Sequence, residues 1–178
     1  RLAKQYGYTY VGGHPMAGTQ YSGFKNSKTG MFRDAPMVIV PPVYDDIQLL
    51  QKIKDLLSPA GFGSITVSTA EEHDKTIAFT SQMAHVVSTA YVKSPTASIH
   101  SGLSAGSYQD MTRVARLNEY MWTDLLIDNG DNLVRELDYF MDSLKEYRDA
   151  IAGKDSDKLC QLLADGRKIK EKVDGAND

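Results

Sequence analysis

Residues 35–68 read APMVIVPPVYDDIQLLQKIKDLLSPAGFGSITVS. The run APMVIVPP (35–42) is continuously apolar and ends in prolines, as expected of a strand covered on both faces. Ile47, Leu50, Ile53, Leu56 and Leu57 then recur at helical spacing, and Pro59-Ala60-Gly61 stops that helix. SITVS (64–68) predicts the next strand. Strand, helix and strand over this distance make a βαβ crossover in a parallel sheet. This is the tail of a doubly wound α/β domain.

Upstream, RLAKQYGYTYV (1–11) reads as the end of a helix followed by a strand over Tyr8–Val11. It has no initiating methionine and no start signal, so the chain is expected to be the C-terminal piece of something longer. In VGGHPMAGT (11–19) the strand runs into a glycine pair and delivers His14, fixed by Pro15. Ala17-Gly18-Thr19 is a loop small enough for a ligand to come close, and a Gly/Lys/Asn/Ser-rich loop covers 18–34. A histidine at a strand end is well placed for proton transfer, because its charge change lies near neutral pH. Taken alone, His-Pro is equally well an ordinary turn.

After Ser68 the grammar changes to all helix. Thr69 and Glu72 form a capping box for a helix running to about Lys93, where Ser94-Pro95 breaks it. A polar link (94–107) leads to a helix near 108–116, another spans Asn118 to about Asn129, and Gly130 is its stop. Leu133, Val134, Leu137, Phe140, Met141, Leu144, Tyr147 and Ile151 mark a long amphipathic helix. Leu159, Leu162, Leu163, Ile169 and Val173 mark the last, and DGAND is a frayed tail.

The 69–93 helix carries an anomaly. Asp74, Ser81 and His85 fall in one narrow stripe on a helix otherwise apolar on most sides, with Ala78 leaving space among them. A buried polar stripe needs partners, either a helix–helix hydrogen-bond network or a ligand. In SAGSYQDMTRVA (104–115) a small-residue loop, Ser104 to Ser107, enters a helix bearing Asp110, Thr112 and Arg113. Arg113 lies between Met111 and Val114, which predicts a semi-buried guanidinium paired with an anion. On sequence alone, that anion is better sought in an internal salt bridge than in a ligand.

The bulk numbers exclude several classes. The 178 residues are 42% hydrophobic, enough for one or two small domains, and a net charge of −3 gives no basic footprint for nucleic acid. No apolar run is long enough to span a bilayer. The single cysteine, Cys160, cannot form an intrachain disulfide and lies among leucines, so a buried, inert thiol in a reducing compartment is expected. A soluble, cytoplasmic protein is the resulting expectation. The four histidines show no metal-ligand spacing, so no metal site is expected. There is no GxSxG elbow, and no GxGxxG follows a strand, so the dinucleotide fingerprint is missing.

HPMAGT, EEHD (71–74), SQMAH (81–85), AGSYQDMTRVA and YMWTDLLIDN stand in the order and near the spacing of one family. Together they make the chain resemble the prephenate/arogenate dehydrogenases (the TyrA type) of tyrosine biosynthesis. The resemblance implies a Rossmann-like domain, represented by its C-terminal part over 1–68, followed by an all-helical substrate and dimerisation domain over 69–178. It implies oxidative decarboxylation of prephenate to 4-hydroxyphenylpyruvate with NAD or NADP, by a homodimer. Most of the nucleotide-binding domain would lie upstream of Arg1, leaving the fragment inactive alone. By the same resemblance His14 is the catalytic proton acceptor, and Arg113 binds a substrate carboxylate. His85, Ser81 and Thr19 line the substrate pocket, while Asp74, Trp122 and Gln109 support it. The departures from the family pattern are Gln82 and Ala84 in a motif usually written S-H-x-P-H, Gln20 after the histidine loop, and Gln109 in place of a cation. They bear on selectivity for prephenate against arogenate. A non-catalytic dimerisation or regulatory module is the alternative from another class.

Overall fold

The computed structural model describes residues 2–19, 21 and 23–175. Helix α1 (Leu2–Tyr6) precedes strand β1 (Gly12–Pro15). Then come β2 (Pro36–Val40), α2 (Ile47–Leu57) and β3 (Ser64–Val67). The sheet order is β1-β2-β3, with β2 and β3 parallel and β1 antiparallel to β2. The α/β reading of 35–68 therefore stands, with α2 as the crossover. Asp46 caps α2 by accepting from the Leu49 amide at 2.9 Å, and Gly61 ends the following turn at φ 74°, a left-handed conformation suited to glycine.

Alternation along β2 separates two environments. Met37 and Ile39 face α2 and form the core with Ile53, packed about by Leu49, Leu50, Phe62 and Ile65. Val38 and Val40 face the other way. In the antiparallel register His14 lies opposite Val38 and Gly13 opposite Ile39, so His14 shares the Val38 face. Gly13 leaves the Met37 methyl room to pack: a Cβ there would come within 2.7 Å of it and push that flexible side-chain end aside.

The strand expected over Tyr8–Val11 is corrected to Gly12–Pro15. Tyr8 and Tyr10 alternate like strand residues, but only 12–15 find a partner, against Met37–Val40. Strand identity is fixed by pairing, which alternation does not reveal.

The rest of the described chain is helical. Helix α3 (Ala70–Ile77) passes through a π-turn (Ala78–Gln82) into α4 (Met83–Tyr91). Then follow α5 (Gly106–Thr112), α6 (Glu119–Asp128), α7 (Gly130–Ala152) and α8 (Ser156–Gly175). The capping box is formed: the Thr69 hydroxyl accepts from the Glu72 amide at 3.0 Å, and the Glu72 carboxylate accepts from the Thr69 amide at 3.4 Å. Gly130 opens α7 rather than simply ending α6. Residues 1–133 form one compact unit and 134–178 another. In the second, the Tyr147 hydroxyl donates to the Leu162 carbonyl at 3.0 Å, joining α7 to α8. Cys160 is exposed on α8, contrary to the expected buried thiol, because its leucine neighbours do not enclose that side of the helix. No described helix is long and apolar enough to cross a membrane.

Candidate active site

His14 and α3 meet beside a cleft of about 680 Å³. Its walls are largely Tyr8, Tyr10, Val38, Val40, Pro41 and Pro42. His14 Nδ1 lies 2.8 Å from His73 Nε2, and His73 Nδ1 lies 2.8 Å from a carboxylate oxygen of Asp74. An ionised carboxylate only accepts, so His73 Nδ1–H donates to Asp74. That leaves a lone pair on His73 Nε2, to which His14 Nδ1–H donates. His14 Nε2 then keeps its own lone pair on a ring that lines the cleft. The chain of three groups thus selects the His14 tautomer that accepts a proton.

His14 is half-buried, and its pKa is lowered from the ordinary 6.5, first by burial and second by the neighbouring His73. Both causes disfavour the imidazolium, so the ring is a neutral acceptor at pH 7. His73 was missing from the site deduced from sequence. It stands in EEHD beside Asp74, but its 59-residue separation from His14 hides the pairing.

A second cluster lies farther along the same helical run. His85 Nδ1 donates to the Val114 carbonyl at 2.9 Å, and its ring lies on Trp122 with centroids 3.8 Å apart. His85 and Trp122 are therefore brought together, as are His14 and Asp74. No hydrogen bond or ring contact among the described residues joins the two clusters. Ser81 is half-buried in the π-turn. The Thr19 hydroxyl donates to the Tyr21 carbonyl at 3.0 Å. Gln109 is exposed on α5, and Gln20 lies outside the described residues.

Two expectations need correction. Arg113 is exposed at the end of α5 and makes no ion pair among the described residues. Its apolar neighbours do not bury it, since Met111 itself is 47% exposed. Nor do Asp74, Ser81 and His85 form one buried stripe. The π-turn inserts an extra residue between them, so seven positions no longer return to the same line. Asp74 turns its carboxylate to His73 with its side chain 55% exposed, and Ala78 is wholly buried instead of leaving space.

The family model described as "Prephenate dehydrogenase, nucleotide-binding domain" matches residues 1–66, and "Prephenate dehydrogenase, dimerization domain" matches 69–165. The chain belongs to the prephenate dehydrogenase family. It is 33% identical over 167 residues to a cyclohexadienyl dehydrogenase of Zymomonas mobilis, covering 90% of this chain and 56% of that protein. It matches the crystal structure of Synechocystis arogenate dehydrogenase with a TM-score of 0.76 at 25% identity, over 96% of this chain and 64% of that one. The Aquifex aeolicus prephenate dehydrogenase crystallised with hydroxyphenyl propionate and NAD+ has the same fold (TM-score 0.71, 24% identity, 92% of this chain and 58% of that one). The chain spans about half the length of the curated relatives it matches, from 42% to 56% of each.

The residues present fit one end of a nicotinamide cofactor. The apolar walls beside His14 suit a planar ring, whereas no glycine-rich loop of the kind that cradles pyrophosphate occurs in the sequence. Among the described residues no three His, Cys, Asp or Glu side chains are grouped to hold a metal ion.

Proposed function

We propose that this chain carries the proton-accepting part of an NAD- or NADP-dependent dehydrogenase that decarboxylates prephenate oxidatively to 4-hydroxyphenylpyruvate. The observation that carries the reading is the His14–His73–Asp74 chain beside an apolar cleft. His14 Nε2 takes the proton of the ring hydroxyl as hydride leaves the carbon that bears it, and loss of CO2 completes the aromatic ring. The nicotinamide, when bound, supplies the hydride acceptor. His73 and Asp74 hold the tautomer and share the charge that develops on His14. Residues 1–68 are assigned to the nucleotide-binding domain and 69–178 to the helical substrate and dimerisation domain. His85, Ser81, Thr19 and Arg113 are assigned to the substrate, Trp122 and Gln109 to its support, and the protein to the cytoplasm.

The test is His14→Asn in the full-length enzyme. Turnover should fall by about 10²–10⁴-fold with KM little changed, because the lost proton transfer belongs to the transition state. An unaltered pH–rate profile would place the base elsewhere. Arogenate is the second reading, favoured by Gln109, a neutral residue where the family pattern carries a cation. Gln109→Lys should shift the ratio of kcat/KM towards prephenate, since an added ammonium opposes the amino group of arogenate. No shift, or the opposite one, would remove Gln109 from the specificity argument.

A further inference from the structure

The π-turn that interrupts the helix after Asp74 is held by side chains not yet assigned a role. At its start the Ala78 amide donates to the Asp74 carbonyl, and at its end the Met83 amide reaches back to the Ala78 carbonyl, one residue farther than in an α-helix. Gln82, only 6% exposed, closes the turn. Its Nε2 donates to the Leu125 carbonyl at 3.1 Å, and its Oε1 accepts from Asn129 Nδ2 at 2.8 Å. Asn129 Nδ2 also donates to the Asp74 carbonyl at 2.8 Å, and Asn129 Oδ1 accepts from Asn132 Nδ2 at 2.8 Å. Both hydrogens of one amide therefore bind two points on opposite sides of the π-turn. The network is satisfied at each of these atoms, so it defines one geometry.

We propose that Gln82 and Asn129 are positioning residues for His14, acting through the main chain of Asp74. The proposal rests on the reading of His14 as the proton acceptor. An Asp74 carboxylate out of place no longer accepts from His73 Nδ1–H. The His73 ring is then free to carry its proton on Nε2, and His14 Nδ1 loses its acceptor. A ring without that acceptor populates the wrong tautomer and orientation. Gln82, which replaces a histidine of the usual motif, is thus a substitution that keeps a donor and an acceptor at a buried position.

The experiment uses the full-length protein with ¹⁵N-labelled histidine, comparing wild type with Gln82→Met and Asn129→Leu. Long-range proton–nitrogen spectra report which His14 nitrogen carries the proton and at what pH the ring titrates. Wild type should show His14 protonated at Nδ1. Both variants should show mixed tautomers and a titration midpoint moved further down, because burial is unchanged while the imidazolium loses the acceptor through which His73 and Asp74 share its charge. The groups lining the cleft with His14 are His73 and Asp74 from α3 and Lys4, Tyr8 and Tyr10 from the N-terminal segment; the variants change none of them. With prephenate and NAD, kcat should fall about 10- to 100-fold, more than KM rises, as for a misplaced catalytic group. Gln82→His should restore both readouts.

Folded variants that keep the wild-type His14 tautomer and midpoint overturn the proposal, even if they melt at lower temperature. If Gln82→Met does not fold, Asn129→Ala at its half-buried position decides on the same readouts. A tautomer change in a protein that never oxidises prephenate would uphold the positioning role and reject the proposed reaction.

Discussion

At His14, two ordinary effects act in one direction. Partial burial and the adjacent His73 both raise the cost of the imidazolium, so the folded pKa lies below the unfolded 6.5. Between those two values the unfolded chain binds more protons than the folded one, and stability therefore rises with pH. The contribution is complete above about 6.5 and is lost as pH falls through the lower folded value. Thermal midpoints from pH 7.5 down to 5 should fall more steeply for wild type than for His14→Asn. Parallel curves would show that His14 titrates normally. The importance of His14 was legible in HPMAGT, whereas its partner was not. A pairing between residues 59 positions apart has no local signature, and His73 entered the sequence argument only as a histidine without metal-ligand spacing.

Helix α3 shows what local chemistry does and does not determine. Its start is legible because Thr69 and Glu72 satisfy each other's backbone amides over three residues. Thr69→Ala should lower stability by about 1 kcal/mol, measured by urea unfolding, since it strands the Glu72 amide at the helix end that carries His73. A change near zero would mean that water replaces the cap at no cost. The π-turn was not legible. Its residues suit a continuous α-helix, and the extra residue is held by Leu125 and Asn129, contributed by α6 and the residue after it. β2-α2-β3 was legible because hydrophobic period and proline stops agree, while β1 was misplaced because pairing alone defines it. Arg113 failed for a related reason: apolar sequence neighbours imply burial only when another element covers them, and nothing among the described residues covers Met111 fully.

For the molecule as a whole, the decisive observation is apolar surface left in water. Met141, Leu144 and Ile151 share one face of α7 at spacings of three and seven, and are 56%, 50% and 60% exposed. Leu163 and Ile169 on α8 are 59% and 65% exposed. Such helices bury those faces against something, and the family model matching 69–165 is described as a dimerization domain. A second copy is the occupant that needs no further component, and a two-fold arrangement lets the same faces serve both partners. Light scattering at low micromolar concentration should therefore report a dimer. Leu144→Glu, which places a carboxylate in the centre of the α7 face, should shift it to monomer without unfolding the helix, because glutamate is a good helix former and the position is half exposed. Helical content by circular dichroism separates dissociation from unfolding. A wild type that is monomeric at that concentration would assign these faces to a different covering, and Leu144→Glu would then leave the mass unchanged.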